Sequence, residues 1–324
     1  ASRENGPTAI AQPLQGNVQP IALSIEQKVL SGQIDSYLNS LVEGRLFHGS
    51  VLVAQKGQII LSKGYGLANY TSGVPNEPST RFRIASLTKQ FTALAIMQLQ
   101  VAGKLSTNDP ICNYLDSCPD HWRGVTIHHA LTHTSGIPSY TELLDYEATQ
   151  MYPATPQQLL SRVSGMPLLF EPGSNYLYGN TGYVILGLII ERVSGKSYAD
   201  YLQEAIFNPL QMSNTGVDTS DSSFAGQAAG YSTFDQQALF LDASTLFACG
   251  SLYSSVEDLY RWDQALYSDI LLPAEARAQL FTPFLYDYAY GWKVTRPDGH
   301  LLINHSGLID GFSTYISRYP EDDL

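Results

Sequence analysis

Basic residues are scarce in this chain. Its 324 residues include 18 Lys and Arg against 30 Asp and Glu, which gives a formal charge of −12, and there is no run of basic residues. Such an acidic sequence argues against nucleic acid or an anionic membrane as the main partner. Long apolar runs are also missing: the longest, at 183–190, stops at Glu191, far short of the roughly 20 residues that a membrane span needs. We therefore expect no membrane span.

Cysteine is almost absent, with three residues in the whole chain. Cys112 and Cys118 lie close enough in one loop to form a disulfide in an oxidising compartment, and two reduced thiols are an equal alternative. Cys249, in "FACGS", is typical of a small buried residue. No second ligand pair follows the cysteine pair, and we expect neither a metal nor an organic cofactor. A joined pair would fit a secreted or periplasmic protein.

Hydrophobic periodicity and turn residues predict the order of elements along the chain. Residues 1–22 mix Pro, Gln, Asn and Gly without periodicity and are predicted to form a flexible tail. Helices are predicted over 24–44, 86–103, 181–195 and 254–268, and strands over 49–66 and within "YGWKVTRPDG", "HLLINHSG" and "GFSTYISRYP" near the end.

This order predicts an α/β fold with two lobes. Strands from both ends of the chain, within 23–85 and 241–324, would build one antiparallel sheet flanked by helices, and residues 86–240 would form a mainly helical lobe. A cleft between two such lobes is the natural place for a binding or catalytic site.

Only one of the seven lysines follows a serine at this helical spacing: Ser86 and Lys89, in "RIASLTKQF". Positions three apart share one face of a helix, so the two side chains can touch. A serine hydroxyl becomes a nucleophile when a neighbouring base takes its proton, and a lysine can be that base when burial favours its neutral form. Ser-x-x-Lys alone is weak evidence, and an ordinary helix with a solvated lysine is the alternative.

Two further triplets follow along the chain. They are Tyr178-Gly179-Asn180, in "NYLYGNTGY", and His305-Ser306-Gly307, in "INHSGLIDGF". Each triplet is weak evidence by itself, because a tyrosine two residues before an asparagine occurs by chance and a lone histidine in a strand is more often structural than catalytic.

Taken in order, the three motifs resemble those of the penicillin-recognising serine hydrolases. The resemblance is closest to the branch of class C β-lactamases and D-alanyl-D-alanine carboxypeptidases, with their esterase and D-aminopeptidase relatives. It extends over roughly residues 24–320, through segments such as "VTIHHALTHTSGIP", "FEPGSNYLYGNTGYVILGLIIERVSG" and "SLYSSVEDLYRW". It implies a β-lactamase/transpeptidase-like fold and a hydrolase that needs no cofactor.

The resemblance also implies roles for the first two motifs. Ser86 would form an acyl-enzyme, Lys89 would take or hold its proton, and Tyr178 would pass a proton to the leaving group and later activate water. Asn180 would bind the amide carbonyl of the substrate and orient Lys89. The backbone N–H groups of Ser86 and Leu308 would form the oxyanion hole.

The third motif, with His305, Ser306 and Gly307, would bind substrate. His305 stands where many relatives carry lysine, and would contact a substrate carboxylate or steady the Tyr178 hydroxyl. A neutral histidine is a weaker anchor for a carboxylate at pH 7 than a lysine, which favours peptidase or esterase chemistry over an efficient β-lactamase. Gly179 is a second departure, because Ser or Ala is commoner there.

The end of the chain differs from the resembled family. Relatives continue after the segment like "GFSTYISRYPEDD" with a strand that lies inside the sheet and a C-terminal helix, and neither is among these 324 residues. A sheet without an interior strand exposes unpaired edges. We therefore expect a second piece of polypeptide to complete the fold, and an intact sheet built from these residues alone would contradict this.

Three functions follow from these observations. The first is a serine hydrolase that acts on D-amino-acid peptides through Ser86, and the second is a carboxylesterase or class C-like β-lactamase that uses the same serine. The third is a catalytically silent binding or scaffold protein, which labelling of Ser86 by a serine-directed probe would separate from the other two. In each enzymatic case the partner is a small molecule or a peptide.

Overall fold

The computed structural model describes residues 22–219 and 226–324. The predicted tail, residues 1–22, therefore lies outside the described residues except for its last position. The helices are α1 (Ile25–Glu43), α2 (Thr88–Val101), α3 (Ile127–Leu131), α4 (Tyr146–Thr149), α5 (Pro156–Ser161), α6 (Thr181–Ser194), α7 (Tyr198–Leu202), α8 (Val256–Ala265) and α9 (Ala274–Leu280). The strands are β1 (Gly49–Gln55), β2 (Gln58–Tyr65), β3 (Leu67–Asn69), β4 (Val74–Pro75), β5 (Phe82–Arg83), β6 (Gly216–Val217), β7 (Leu252–Ser254), β8 (Lys293–Thr295), β9 (Leu302–Ile309) and β10 (Phe312–Arg318).

The fold combines helices with antiparallel sheets, as the β-lactamase/transpeptidase-like prediction requires. Within the described residues, however, the predicted sheet is divided: β1 pairs with β2 alone, and β8, β9 and β10 form a second sheet in the order β10-β9-β8. Strands β1 and β10 both line an open cavity of about 1510 Å³ between the two sheets. A segment able to bridge the two strands is not among the described residues.

Helix α2 is the centre of the molecule. Almost every side chain from Thr88 to Leu99 is buried, which is the pattern of a helix enclosed on all sides. It packs against α6, another largely buried helix, and the stacked rings of Phe91 and Trp262 lie 4.1 Å apart between α2 and α8. Lys89, the motif residue on α2, is thereby enclosed in the core of the protein.

The predicted helical block, residues 86–240, contains more than helices. Strand β6 pairs with β7, which in turn pairs with β5, so this segment contributes to a small third sheet. A π-helical turn, Gln203–Phe207, ends the last helix of the block. Of the described residues from 208 to 240, none is helical. The boundaries of the two lobes stay a prediction.

Cys112 and Cys118 are joined in a disulfide, and Cys249 is free and buried. A disulfide that closes so short a loop stabilises a protein by about 2 kcal/mol, chiefly by restricting the unfolded chain. We expect the double variant Cys112→Ser/Cys118→Ser to lose about that much free energy of unfolding in urea titrations and to keep its activity at 25 °C. Wild type treated with a reductant should match the variant, and an unchanged unfolding midpoint in both would contradict the prediction.

Helix length and the placement of polar side chains bear on possible partners. None of the described helices has the length and apolar character that crossing a membrane requires. No group of three or more His, Cys, Asp or Glu side chains in the same residues is placed to hold a metal ion.

Candidate active site

Ser86 lies on a turn of 3-10 helix, Ala85–Leu87, that leads directly into α2. Ala85 has φ of 49°, a left-handed conformation that costs a non-glycine residue free energy and that fixes the turn in one shape. The adjacent strand β9 comes close because Gly307 has no side chain: a Cβ there would lie 2.3 Å from the carbonyl oxygen of Ile84. The Thr314 hydroxyl donates to the same carbonyl at 2.9 Å. Ser86 is therefore held between α2 and the β9–β10 hairpin.

Lys89 is fully buried, with 0% of its surface exposed. Its ammonium group donates three hydrogen bonds: to Ser86 Oγ at 3.0 Å, to Asn180 Oδ1 at 2.8 Å and to the carbonyl oxygen of Cys249 at 2.9 Å. An ammonium group has three donors, so all of them are used. The Ser-x-x-Lys spacing places the two side chains in contact, as the sequence predicts.

Asn180 immediately precedes α6 and is held from both sides. Its backbone N–H donates to Ser139 Oγ at 3.0 Å, and its side-chain nitrogen donates to Thr141 Oγ1 at 3.1 Å. These bonds fix the amide so that its oxygen faces Lys89. Thr141 takes one of the two N–H groups of the side-chain nitrogen, so the other is left for a substrate carbonyl.

Tyr178 contacts Lys89 through its ring. The Lys89 Nζ lies 4.9 Å from the ring centroid, a cation–π distance, and among the described residues the Tyr178 hydroxyl has no hydrogen-bond partner. The hydroxyl is not bonded to Lys89 because three other acceptors already occupy the ammonium group. Gly179 leaves room for Ser139, whose Cβ would lie 3.2 Å from a Cβ at position 179.

His305 is 6% exposed, and both of its ring nitrogens are engaged inside the protein. Nδ1 lies 2.7 Å from the carbonyl oxygen of Ser306 and donates to it, so Nε2 is the acceptor, and Tyr288 Oη donates to it at 2.9 Å. Burial, followed by the Lys89 charge, lowers the pKa of His305 to about 4. In this arrangement His305 is a neutral ring that offers no N–H to a substrate carboxylate, and its partner is Tyr288 rather than Tyr178.

The pKa of His305 predicts a pH dependence of stability. Above pH 6.5, the ordinary value, the ring is neutral in both the folded and the unfolded chain. As the pH falls from 6.5 towards about 4, His305 becomes protonated in the unfolded chain but stays neutral in the folded protein, so the free energy of unfolding decreases. Below about 4 the ring is protonated in both states, and the free energy of unfolding decreases no further on its account. Between pH 7 and pH 5, we expect urea unfolding of wild type to lose about 2 kcal/mol more than unfolding of His305→Asn. Parallel losses would contradict this.

The rest of the third motif lies on β9 beside the nucleophile. Gly307 contacts the Ser86 turn, Ser306 is exposed, and Leu308 is 78% exposed at the mouth of the site. The cavity between the sheets continues to this point, because Leu308, Thr141 and Asn180 are part of its lining.

Sequence reasoning missed several residues that the fold brings to the site. The Cys249 carbonyl accepts from Lys89, Tyr288 holds His305, and Ser139 holds Asn180. His133, on the turn that follows α3, packs against Tyr178 with the two rings tilted and their centroids 4.3 Å apart. No short-range signal in the sequence connects this turn to a tyrosine 45 positions later.

A serine on a fixed turn, bonded to a buried lysine and faced by a tyrosine and an amide, is the arrangement of an acyl-transferring serine hydrolase. Comparison with known proteins agrees with this class. A model of the family described as Beta-lactamase matches residues 34–324, and the chain belongs to that family. It is a serine hydrolase of the β-lactamase-related type.

Several relatives show how far the likeness extends. Penicillin-binding protein 4* of Bacillus subtilis (strain 168) is 33% identical over 88% of this chain and 68% of its own length. The structure of a penicillin binding protein from Bacillus halodurans superimposes with a TM-score of 0.79, at 31% identity, over 88% of this chain and 92% of that one. The structure of a D-stereospecific amidohydrolase from Streptomyces sp. superimposes with a TM-score of 0.74, at 26% identity, over 89% of this chain and 91% of that one. Protein flp of Staphylococcus aureus (strain MW2) is 30% identical over 90% of this chain, which spans 61% of its length.

Proposed function

We propose that this protein cleaves peptides of D-amino acids through an acyl-enzyme on Ser86, in the manner of a penicillin-binding D-alanyl-D-alanine carboxypeptidase. The observation that carries the proposal is the position of Lys89, whose buried ammonium group bonds both Ser86 Oγ and Asn180 Oδ1. The names of the relatives support the substrate class: one binds penicillin, and another is a D-stereospecific amidohydrolase.

The reaction would proceed in two balanced halves. Ser86 Oγ attacks the carbonyl carbon while its proton passes by way of Lys89 and Tyr178 to the leaving nitrogen, and the C–N bond breaks. The oxygen that becomes negative accepts from the backbone N–H groups of Ser86 and Leu308. Water then attacks the acyl carbon and gives one proton to Tyr178, while the proton of the Tyr178 hydroxyl passes by way of Lys89 to Ser86 Oγ. The C–O bond to Ser86 breaks, and the acid leaves with the Ser86 hydroxyl restored.

Release of D-alanine tests the proposal. An N-acylated peptide that ends in D-Ala-D-Ala and its diastereomer ending in L-Ala-L-Ala are incubated with wild type, and the released amino acid is quantified by chromatography. We expect turnover of the D-peptide alone, and none with Ser86→Ala. Turnover of the L-peptide at an equal rate would contradict the preference for D-amino acids.

A second candidate, an amidase or carboxylesterase, is favoured by one specific observation. Because both nitrogens of His305 are already bonded, that residue gives a free C-terminal carboxylate no positive partner. The matched test compares the D-Ala-D-Ala peptide with the same peptide ending in a carboxamide. A faster reaction of the carboxamide would support the amidase, whereas a faster reaction of the free acid would support the carboxypeptidase.

Hydrolysis of a short-chain ester alone would support the esterase, and rapid turnover of a penicillin would support the β-lactamase.

We also propose that the protein works outside the reducing cytosol, as a secreted or periplasmic enzyme. The disulfide between Cys112 and Cys118 supports this, because such bonds persist in oxidising compartments. Fractionation of cells that express the protein tests it, and recovery of the protein solely in the cytosol with both thiols reduced would contradict it.

The cavity between β1 and β10 supports the expectation of a further strand of polypeptide. Among the described strands each has a single hydrogen-bonded neighbour, β2 and β9 respectively, so each has one free edge. We propose that a strand-forming segment of polypeptide fills the gap and pairs with both. Hydrogen exchange compares the protein alone with the protein that has this segment bound. Alternate amides on the free edges of β1 and β10 should exchange fast in the first and slowly in the second, and fast exchange in both would contradict the proposal.

A further inference from the structure

A buried histidine, His133, lies against the ring of Tyr178, and no role has yet been given to it. His133 is 4% exposed and lies on a turn, residues 132–136, that follows α3. Its φ is 57°, a left-handed conformation that a histidine adopts at a cost in free energy. A strained, buried, polar residue beside a reaction centre is there either for the fold or for the chemistry. The contacts of His133 distinguish these two roles.

The segment that carries Tyr178, residues 173–180, is fastened to the His133 turn by three hydrogen bonds. The Gly173 N–H donates to Thr134 O at 2.8 Å, and the Leu177 N–H donates to His133 O at 3.0 Å. The third bond uses the side chain: the Gly179 N–H donates to His133 Nδ1 at 3.3 Å. The backbone on both sides of Tyr178 is thus attached to one residue.

The ring of His133 also contacts Tyr178 itself. Their centroids lie 4.3 Å apart, and the rings of Tyr288 and Tyr183 lie 4.6 and 5.2 Å from His133. Because the Tyr178 hydroxyl has no hydrogen-bond partner among the described residues, ring packing and the backbone bonds are what fix its direction. His133 supplies part of both.

The protonation state of His133 follows from these contacts. Nδ1 accepts from Gly179, so the proton of the neutral ring is on Nε2, and within the described residues that buried atom has no hydrogen-bond partner. Burial and the charge of Lys89 lower the pKa of His133 well below its ordinary value, which keeps the ring neutral. A neutral ring packs against Tyr178 without adding a second positive charge beside Lys89.

We infer that His133 is a positioning residue for catalysis: through its ring and Nδ1 it holds Tyr178 in the orientation that proton transfer at Ser86 requires. The inference rests on the proposed function, in which Tyr178 transfers the proton. It predicts that the acceptor at Nδ1 matters more than the ring, because only the hydrogen bond sets the backbone at Gly179. The effect should fall on kcat and leave KM nearly unchanged, since His133 is not placed to contact substrate.

Two substitutions at position 133 separate the acceptor from the ring. His133→Phe keeps a ring and removes the acceptor, so the Gly179 N–H loses its partner. His133→Asn removes the ring, offers an amide oxygen near the position of Nδ1, and tolerates the left-handed backbone. His129→Phe is the matched control: His129, on α3, accepts at Nδ1 from the Thr126 N–H at 3.1 Å, and among the described residues it has no hydrogen bond or ring contact with Tyr178.

The assay is hydrolysis of p-nitrophenyl acetate and of the D-Ala-D-Ala peptide, with the melting temperature of each variant measured alongside. We expect His133→Phe to lower kcat about 100-fold with KM changed less than about twofold, as a misplacement of a catalytic group by about 1 Å does. His133→Asn should recover kcat to within about fivefold of wild type, and His129→Phe should lower the melting temperature without lowering kcat.

Two results would overturn the inference. One is a folded His133→Phe variant whose kcat equals that of the control variant His129→Phe. The other is a loss of kcat that is equally large in His133→Phe and in His133→Asn. Tyr178→Phe, measured in the same assay, separates the proposed role of Tyr178 from that of His133. If Tyr178→Phe is as active as wild type, the proposed role of Tyr178 fails; if Tyr178→Phe is inactive while His133→Phe is unaffected, the inference alone fails.

Discussion

Replacing Ser86 with alanine is expected to lower kcat/KM by about 10⁴-fold or more, because no other nucleophile can form the acyl-enzyme and the remaining groups supply only a small part of the catalysis. The turn around Ser86 is set by Ala85, Ile84 and Gly307, and none of their contacts uses the Ser86 hydroxyl. The variant should therefore fold as wild type does. Steady-state hydrolysis of the peptide and of p-nitrophenyl acetate provides the measurement.

Ser161→Ala is the matched control for this substitution. The Ser161 hydroxyl is exposed and donates to the Gln158 carbonyl oxygen at the end of α5, away from the site. Its removal should leave kcat/KM unchanged. If Ser86→Ala retained more than about a tenth of the wild-type rate, the acyl-enzyme would lie on another residue and the account of the site would be wrong.

Lys89→Met is expected to produce the second largest loss of activity, about 1,000-fold in kcat, which is the usual contribution of a positioned acid–base group. Methionine has a similar length and fills the same space without a charge or a donor. Ser86 then loses the group bonded to its Oγ at 3.0 Å, and Asn180 loses the group that orients its amide oxygen. The measurement is kcat for the same two substrates, with acylation by a fluorescent penicillin followed separately.

The same substitution should not destabilise the protein. Burial of an ammonium group whose recorded partners are neutral oxygens has a large desolvation cost, and an apolar side chain of the same volume removes that cost. We expect a melting temperature equal to or above that of wild type, which is the behaviour of a residue kept for function at the expense of stability. Lys63→Met, which removes the surface ion pair with Asp35, serves as the control and should keep full activity. A large fall in the melting temperature of Lys89→Met would show instead that Lys89 is structural.

Part of this site can be predicted from sequence because its contacts are local. Ser86 and Lys89 are one helical turn apart, so the helix alone brings them together, and the 3.0 Å bond confirms the contact. Helix α6 was also predictable, since its apolar face and the glycine after it are typical of a helix and its C-terminal cap. The family follows from three short motifs in a fixed order, and the match over residues 34–324 confirms it.

The remaining features depend on contacts between distant parts of the chain. The Cys249 carbonyl reaches Lys89 across 160 positions, and a backbone oxygen leaves no mark in a sequence. The occupation of both His305 nitrogens depends on Tyr288, whose position is set by tertiary packing rather than by periodicity. The division of the sheet could be anticipated only by comparing the chain with the family that it resembles.

The most direct test of the central claim is the intact mass of the protein after incubation with a fluorescent penicillin, followed by peptide mapping. We expect a single adduct on wild type, located at Ser86 and absent from Ser86→Ala. A stable adduct indicates slow deacylation, as in a peptidase, and a transient adduct with turnover indicates a β-lactamase. An adduct of equal yield on Ser86→Ala, or one that maps to another residue, would contradict the claim that Ser86 is the nucleophile.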